Sequence, residues 1–138
     1  MDCLTNEFKA VDVPGLDKLT EICGYSYAAT YSGRLFISGG YKSPGTLHEA
    51  VWTGLNSMAL EERHPMITAR YFHHMTSGLM VTGGQKKEDM SETNLCEVYD
   101  KSTNSWQSIP PMNEKRWKHT SVEVKHGVVY VFGGYDEE

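Results

Sequence analysis

The chain has 138 residues, a formal net charge of −5 at pH 7 and 39% hydrophobic residues. This charge argues against a nucleic-acid partner, which requires a basic stripe on the protein, and no apolar run approaches the roughly 20 residues that cross a bilayer. The three cysteines lack C-x-x-C spacing, which argues against both a disulfide framework and a zinc site. We therefore expect an intracellular, cytoplasmic domain that holds no metal or cofactor and contacts no membrane.

A strand-like run that ends in Gly-Gly occurs three times. The glycine pairs lie 44 and 50 residues apart, a spacing typical of the blades of a β-propeller. Each run follows a turn dipeptide that predicts a β-hairpin: Ser32-Gly33, Ser77-Gly78 and His126-Gly127. The runs and their glycines are Arg34–Ser38 with Gly39-Gly40, Leu79–Thr82 with Gly83-Gly84, and Val128–Phe132 with Gly133-Gly134. The chain is therefore predicted to be a repeat protein built from antiparallel sheets.

The predicted elements follow this repeat in chain order. At the start, Asp2–Phe8 aligns with Asp100–Trp106 at a shift of 98 residues, which predicts an outer strand there. A helical turn competes with the strand prediction from Ser57 to Met66, since Met-Ala-Leu-Glu-Glu-Arg favours helix. Residues 1–15 are predicted to contain the outer strand of a blade, at about 7–13. A four-stranded blade is predicted at about 25–61, a second at about 72–110, and half of a third at about 119–138.

A second motif repeats between the glycine pairs. The run Pro65–His73, with the pattern Pro-Met-x-x-x-Arg-x-x-His, aligns without gaps with Pro111–His119, and Tyr99-Asp100 and Trp106 precede the second run. This order resembles the kelch family, whose repeat proceeds from Gly-Gly through Tyr-Asp, Trp, Pro-Met and Arg-x-x-His back to Gly-Gly. The match is specific from Gly83 to Gly134. It is looser upstream, where the equivalent positions hold Trp52, Met58, Ile22 and Tyr25.

The resemblance implies an all-β fold, in which residues 1–138 form a single partial kelch-type β-propeller of roughly two complete four-stranded antiparallel blades with part-blades at both ends. The paired glycines let neighbouring backbones approach closely. Tyr99 and Trp106 are expected to pack between blades, and Arg70 and Arg116 to donate to otherwise unpaired carbonyls. Because an incomplete ring leaves blade faces bare, we expect the chain to require further blades, self-association or another propeller segment, for example two copies that approximate six blades.

The six histidines raise the question of catalysis. His73 and His74 are adjacent on a strand and point to opposite faces, so they cannot share a metal as a local pair. His73 and His119 hold equivalent repeat positions, which favours a packing role, and no nucleophile elbow, phosphate loop or paired acid motif is present. We predict no catalytic residues and no enzyme activity. The alternative is a kelch-type propeller enzyme, either sugar-processing or a copper oxidase, although no residues here match such a ligand set.

The partner-binding residues are predicted at one end of the propeller. Because successive strands are antiparallel, the loop after each Gly-Gly strand and the loop that enters the next blade emerge on the same face. In kelch proteins that recruit substrates, the residues just after Gly-Gly and just after the repeat arginine line the mouth of the propeller, and the resemblance implies this role for the matching positions. They are Tyr41, Lys42, Tyr71, Phe72, Gln85, Trp117, Lys118 and Tyr135.

The resemblance further implies a protein-interaction module that binds a protein or peptide ligand. The predicted function is substrate recognition in an adaptor that resembles the BTB-kelch receptors of cullin ubiquitin ligases. A cytoskeletal or structural scaffold kelch protein is an alternative of a different class. At the mouth, Lys42 and Lys118 are placed to meet an extended acidic or phosphorylated peptide, with flat aromatic anchors beside them.

Overall fold

The computed structural model of the chain describes residues 22–29, 34–42, 46–47, 51–55, 61–86, 88–125 and 127–136. All regular structure in these ranges is β-strand, so the expected all-β fold is confirmed. The described part of the chain holds no helix with the length and apolarity that crossing a membrane requires. The predicted outer strand at 7–13 and Ser57–Leu60 of the competing helical turn lie outside the described residues. The remainder of that stretch contains a strand rather than a helical turn.

The strands are short, as expected for propeller blades. In chain order they are β1 (Ile22–Cys23), β2 (Ser26–Ala29), β3 (Arg34–Ser38), β4 (Tyr41–Lys42), β5 (Thr46–Leu47), β6 (Val51–Leu55), β7 (Glu61–Arg63), β8 (Arg70–Tyr71), β9 (His74–Met75), β10 (Met80–Thr82), β11 (Gln85–Lys86), β12 (Cys96–Asp100), β13 (Ser105–Ile109), β14 (Thr120–Lys125) and β15 (Val128–Phe132).

The larger antiparallel sheets follow one another along the chain. The first sheet has the strand order β2-β3-β6-β7, the second has the order β9-β10-β12-β13, and the third, within the described residues, is the hairpin β14–β15. Strand β2 contacts β9, and β9 contacts β14, so the first strand of each sheet lies closest to the propeller axis. Each sheet therefore packs against the next as the blades of a partial propeller do.

The glycine pairs allow the sheets to approach each other, as the sequence predicts. A Cβ atom added to Gly83 would lie 2.5 Å from the carbonyl oxygen of Arg116 and 2.8 Å from the imidazole Cε1 of His119. Gly83 also has a φ of +58°, in the left-handed region that favours glycine. Next to it, the Gly84 amide donates to the same Arg116 carbonyl across 2.9 Å. The backbones of neighbouring repeats are thus joined at a point where no side chain fits.

The β9–β10 hairpin forms where the Ser77-Gly78 dipeptide predicts it, but its left-handed residue is not the glycine. The positive φ, +62°, falls on Leu79. The amide of Leu79 donates to the Thr76 carbonyl and the amide of Thr76 to the Met80 carbonyl, each across 2.9 Å. The Leu79 side chain is fully buried in the core, and this burial offsets the cost of the unfavourable backbone conformation.

The core lies between the first and second sheets. The Phe36 ring packs against the Tyr99 ring with centroids 5.9 Å apart, and Tyr99 packs against Trp106 at 5.2 Å. Both polar groups at the edge of this cluster are satisfied: the Tyr99 hydroxyl donates to Asn104 Oδ1, and the Trp106 indole donates to the His64 carbonyl. The expected packing role of Tyr99 and Trp106 is confirmed. Among the described residues, the cluster consists of Ala28, Phe36, Met66, Met75, Leu79, Val81, Tyr99 and Trp106.

A buried ion pair joins the repeat arginine to the third strand of the second sheet. Arg70 donates through Nη1 to the carbonyls of Gly83 (2.9 Å) and Leu95 (2.7 Å), and bonds to carbonyls are what the sequence predicts for the repeat arginine. It also donates to a carboxylate oxygen of Glu97, which the sequence did not predict. Glu97 also accepts from the backbone amides of Ile67 and Thr68 at 2.8 and 3.0 Å. Burial lowers the pKa of Arg70, and the Glu97 carboxylate opposes that shift.

Candidate functional site

The mouth of the propeller is built from short ladders that repeat along the chain. In each ladder a residue just after Gly-Gly pairs with the residue just after the repeat-arginine position. Tyr41 pairs with Cys23, and Gln85 pairs with Tyr71. The third ladder is an isolated bridge between Trp117 and Tyr135, in which each amide donates to the other residue's carbonyl. The antiparallel geometry thus brings both predicted sets of mouth residues to one end.

Backbone hydrogen bonds join neighbouring repeats at the mouth. The amide of Phe72 donates to the Gly24 carbonyl across 2.8 Å, and the amide of Lys118 donates to the Phe72 carbonyl across 2.9 Å. These three residues hold equivalent positions and share a left-handed backbone, with φ values of +65°, +51° and +53° in chain order. Two of them are not glycine, so each repeat here holds a conformation that an L-residue adopts only at some cost.

Five aromatic side chains of the mouth form a continuous row across the three repeats, which we call the aromatic ribbon: Tyr41, Tyr71, Phe72, Trp117 and Tyr135. Adjacent ring centroids lie 5.1 Å apart for Tyr41–Tyr71, 5.1 Å for Tyr71–Phe72, 5.7 Å for Phe72–Trp117 and 5.4 Å for Trp117–Tyr135. These spacings lie within the range of favourable ring contacts. Tyr135 remains largely exposed at the end of the row.

Lys118 lies over the centre of the aromatic ribbon. Its Nζ atom is 4.7 Å from the Phe72 ring centroid and 4.6 Å from the Trp117 ring. Both distances permit a cation–π contact, and the residue as a whole is exposed. The ammonium group is therefore held at a defined place while it stays open to a ligand.

The other two predicted site residues, Gln85 and Lys42, belong to the same backbone ladders as the ribbon residues. Gln85 is half-buried and forms a bridge to Glu92 in addition to its pairing with Tyr71. Lys42 pairs with Ile22 at the end of β4, and its side chain lies outside the described part of the structure. The geometry brings the predicted residues together, whereas their role in binding stays a prediction.

Two polar groups in the ribbon have properties that a ligand could use. Burial raises the pKa of the Tyr71 hydroxyl and Tyr41 adds to the shift, and the hydroxyl is a hydrogen-bond donor at neutral pH as in any tyrosine. The indole Nε1 of Trp117 is buried and has no hydrogen-bond partner among the described residues. A buried donor without a partner is costly, and a ligand that accepts from it would recover that cost.

Comparison with known proteins identifies the repeat. The family profile described as "Kelch motif" matches residues 77–113, which include β10, β12 and β13. Kelch-like protein 36 of Rattus norvegicus and of Mus musculus are each 30% identical over 136 residues, which is 91% of this chain and 21% of the relative. Kelch-like protein 23 of Homo sapiens is 33% identical over 117 residues, 80% of this chain and 20% of the relative.

This chain is a kelch-repeat protein. It spans about a fifth of the length of the curated relatives it matches. Kelch repeats mediate protein–protein binding, and the similarity to Kelch-like proteins favours an interaction module over an enzyme.

The kelch histidines belong to the packing between blades. His73 Nε2 lies 2.8 Å from Ser38 Oγ of the preceding sheet, and His119 Nε2 lies 2.8 Å from Thr82 Oγ1 in the equivalent pair. His74 faces the third sheet instead, with its Nδ1 2.8 Å from the Ser121 hydroxyl. No group of three potential metal ligands occurs among the described residues.

The buried kelch histidines predict a dependence of stability on pH. Burial lowers the pKa of His119 to about 4, and burial also lowers the pKa of His73 well below 6.5. The unfolded chain therefore takes up protons at pH values where the folded chain does not. The stability that these neutral rings contribute is complete above about pH 6.5 and is lost as the pH falls toward about 4. Urea unfolding between pH 7.5 and 4.5 should show this decrease.

Two variants test whether the kelch histidines cause the loss of stability on acidification. His119→Gln, which keeps a group able to bond Thr82, should reduce the loss of stability on acidification. His64→Gln, at an exposed histidine, should leave it unchanged. A native chain whose free energy of unfolding is constant or rises on acidification across this range would contradict the assignment.

Proposed function

We propose that the aromatic ribbon and Lys118 bind a protein or peptide ligand, and that this ligand is the substrate of a cytoplasmic adaptor of the BTB-kelch type that serves a cullin ubiquitin ligase. The observation that carries the binding site is the continuity of the ribbon across three repeats. The support for the adaptor role is the similarity to Kelch-like proteins.

The ribbon has the composition of an interaction hot spot. Tyrosine, tryptophan and phenylalanine bury a large area with few rotatable bonds, so they lose little conformational entropy when a partner covers them. The backbone hydrogen bonds at Phe72 and Lys118 hold this ring and the lysine beside it in place before a ligand arrives. Strained non-glycine residues are concentrated at functional sites, and here Phe72 and Lys118 belong to the candidate site itself.

The charge at the centre of the ribbon favours an acidic ligand. Lys118 is exposed and fixed over two rings, and the neighbouring Trp117 Nε1 offers a donor without a partner among the described residues. A carboxylate or phosphate could accept from both groups. Screening at physiological salt confines the field of a charge to about 8 Å, so this local charge outweighs the chain's net charge of −5.

The test begins with peptides selected from a random display library on the full chain. Selected peptides should contain acidic residues, and Lys118→Glu should weaken their binding by about three- to tenfold, mainly through a slower association and more strongly at low salt. The change should leave folding intact, because the side chain is exposed and glutamate is no worse than lysine in a left-handed conformation.

Lys125→Glu is the matched control, since it makes the same charge change at the last residue of β14, a strand that begins two residues after Lys118. It should leave binding unchanged. If Lys118→Glu and Tyr135→Ala bind the selected peptides as the native chain does, or if Lys125→Glu is equally damaging, the mouth is not the binding site.

A further inference from the structure

An amide side chain interrupts the series of aromatic residues that follow the glycine pairs. The residues directly after Gly-Gly are Tyr41, Gln85 and Tyr135 in the three repeats. The two tyrosines contribute rings to the aromatic ribbon, whereas the residue between them is a glutamine. The second repeat therefore carries a hydrogen-bonding group at a position where its neighbours carry an aromatic ring.

The first junction between repeats shows where a residue after Gly-Gly lies. The amide of Gly40 donates to the Arg70 carbonyl across 3.1 Å. The residues that follow these two, Tyr41 and Tyr71, have ring centroids 5.1 Å apart. Tyr41 also contacts Phe72, with 6.0 Å between the ring centroids. A residue after Gly-Gly thus lies against the two residues that follow the arginine of the next repeat.

The second junction has the same backbone arrangement with polar side chains. The amide of Gly84 donates to the Arg116 carbonyl across 2.9 Å. By the same geometry, Gln85 lies against the two residues that follow this arginine, Trp117 and Lys118. The three side chains offer three kinds of hydrogen-bond donor, which are an amide, an indole and an ammonium group.

These three donors have no acceptor within the part of the chain that the structure describes. The indole Nε1 of Trp117 is buried and has no partner there. Gln85 is half-buried, and its amide group forms no hydrogen bond with a described residue. Lys118 contacts two ring faces and forms no ion pair with a described residue. Donors that lack acceptors favour a ligand that supplies them.

The charges around these donors suit an anion that carries one negative charge. Lys118 provides one positive charge. The cations next to the other two donors in sequence already have partners, because Lys86 pairs with Asp89 across 3.2 Å and Arg116 pairs with Glu114 across 2.7 Å. A carboxylate matches this single charge.

A buried glutamate on the other side of Gln85 adds to this preference. Glu92 forms an antiparallel bridge with Gln85 and is 7% exposed. Side chains directly opposite each other on antiparallel strands share one face of the sheet, with Cβ atoms about 4.5–5.5 Å apart. A carboxylate in this place repels a dianion more strongly than a monoanion. Phosphoserine carries close to two negative charges above pH 7, and proteins usually bind it with clusters of arginine.

We propose that, within the peptide-binding mouth proposed above, Gln85, Trp117 and Lys118 form one subsite that binds a carboxylate side chain of the ligand and selects it over a phosphate. This selectivity rests on the proposed function and adds a ligand chemistry to it. The ammonium group supplies the charge, and the amide and indole groups supply directed hydrogen bonds to the carboxylate oxygens.

The probe is a peptide selected by display on the full chain and synthesised with an amidated C-terminus, so that its carboxylates are side chains. Replacing each acidic residue with its amide identifies the residue that contributes most to binding. At that residue the amide should raise the dissociation constant about tenfold, and phosphoserine should raise it at least about threefold at pH 7.5.

Variants of Gln85 test the subsite from the side of the protein. Gln85→Met keeps the volume and removes the donor, so it should weaken binding of the carboxylate peptide by about three- to fivefold. Gln85→Arg adds a second cation and should invert the preference, so that the phosphoserine peptide binds at least about threefold more tightly than the carboxylate peptide. A merely structural role would weaken both peptides equally. Gln107→Met and Gln107→Arg, at an exposed glutamine of β13, are the matched controls and should change neither affinity.

The outcomes separate this selectivity from peptide binding by the mouth. If Lys118→Glu weakens binding but both Gln85 variants keep the native affinities, the mouth binds peptides without this subsite. A native chain that binds the phosphoserine peptide as tightly as the carboxylate peptide, or more tightly, would also overturn the selectivity. If Lys118→Glu and Tyr135→Ala leave binding unchanged, the proposed function fails and the subsite fails with it.

Discussion

Replacing Glu97 with glutamine is expected to lower the free energy of unfolding by about 3–5 kcal/mol, a large share of the 5–15 kcal/mol typical of a folded domain. The change is nearly isosteric, so it creates little cavity. It removes the charge that opposes the desolvation of Arg70, which is fully buried. It also leaves one oxygen where two carboxylate oxygens now accept from the amides of Ile67 and Thr68.

The matched control for this ion pair is Glu114→Gln. Glu114 lies 2.7 Å from Arg116, but its side chain is 65% exposed, so the loss should be below about 1 kcal/mol. Urea unfolding of both variants gives the comparison. Equal shifts in the midpoint would mean that the buried pair contributes no more than the surface pair, and that Arg70 is stabilised by its backbone partners alone.

Gly83→Val is expected to lower the free energy of unfolding by about 2–4 kcal/mol. Its Cβ would lie 2.5 Å from a backbone oxygen of Arg116, which cannot move without breaking the hydrogen bond from Gly84. A branched side chain at a φ of +58° adds backbone strain. The neighbouring sheets would have to separate to make room.

Two controls separate crowding from strain. Gly127 has a φ of +80° and open space around it, so Gly127→Val should cost only the strain, about 1–2 kcal/mol. Gln85→Ala, two residues after Gly83, should cost almost nothing. If the melting temperatures of Gly83→Val and Gln85→Ala fall by similar amounts, the repeat register that places Gly83 at a blade junction is wrong.

The repeat could be predicted from the sequence because its motifs recur at regular spacing along the chain. Gly-Gly after an apolar strand and Arg-x-x-His before the next one recur at matching positions, and the alternation of antiparallel strands then dictates which loops share an end. The repeat therefore predicts that Tyr71, Trp117 and Tyr135 lie at one end of the fold, and the structure places them in one ribbon.

Three further features of the structure were not predicted from the sequence. Gly24 stands at the position of Phe72 and Lys118, and a glycine in one of three repeats indicates a left-handed backbone in all of them. Glu97 directly precedes the Val-Tyr-Asp run. No local sequence pattern indicates that it pairs with Arg70, which lies 27 residues away. In the β9–β10 hairpin the positive φ falls on Leu79 and not on Gly78, and the burial of the Leu79 side chain offsets its cost.

The sequence by itself determined the repeat length, the strands and the end at which the predicted binding residues gather, because these follow from periodicity along the chain. The tertiary structure alone decided which carboxylate neutralises Arg70, that Lys118 lies over two aromatic rings, and which described side chains form the core. These outcomes depend on residues that are distant in sequence and meet only when the sheets pack. A side chain such as Phe36 is apolar whatever the fold, and only the packing of the second sheet against the first makes it part of the core.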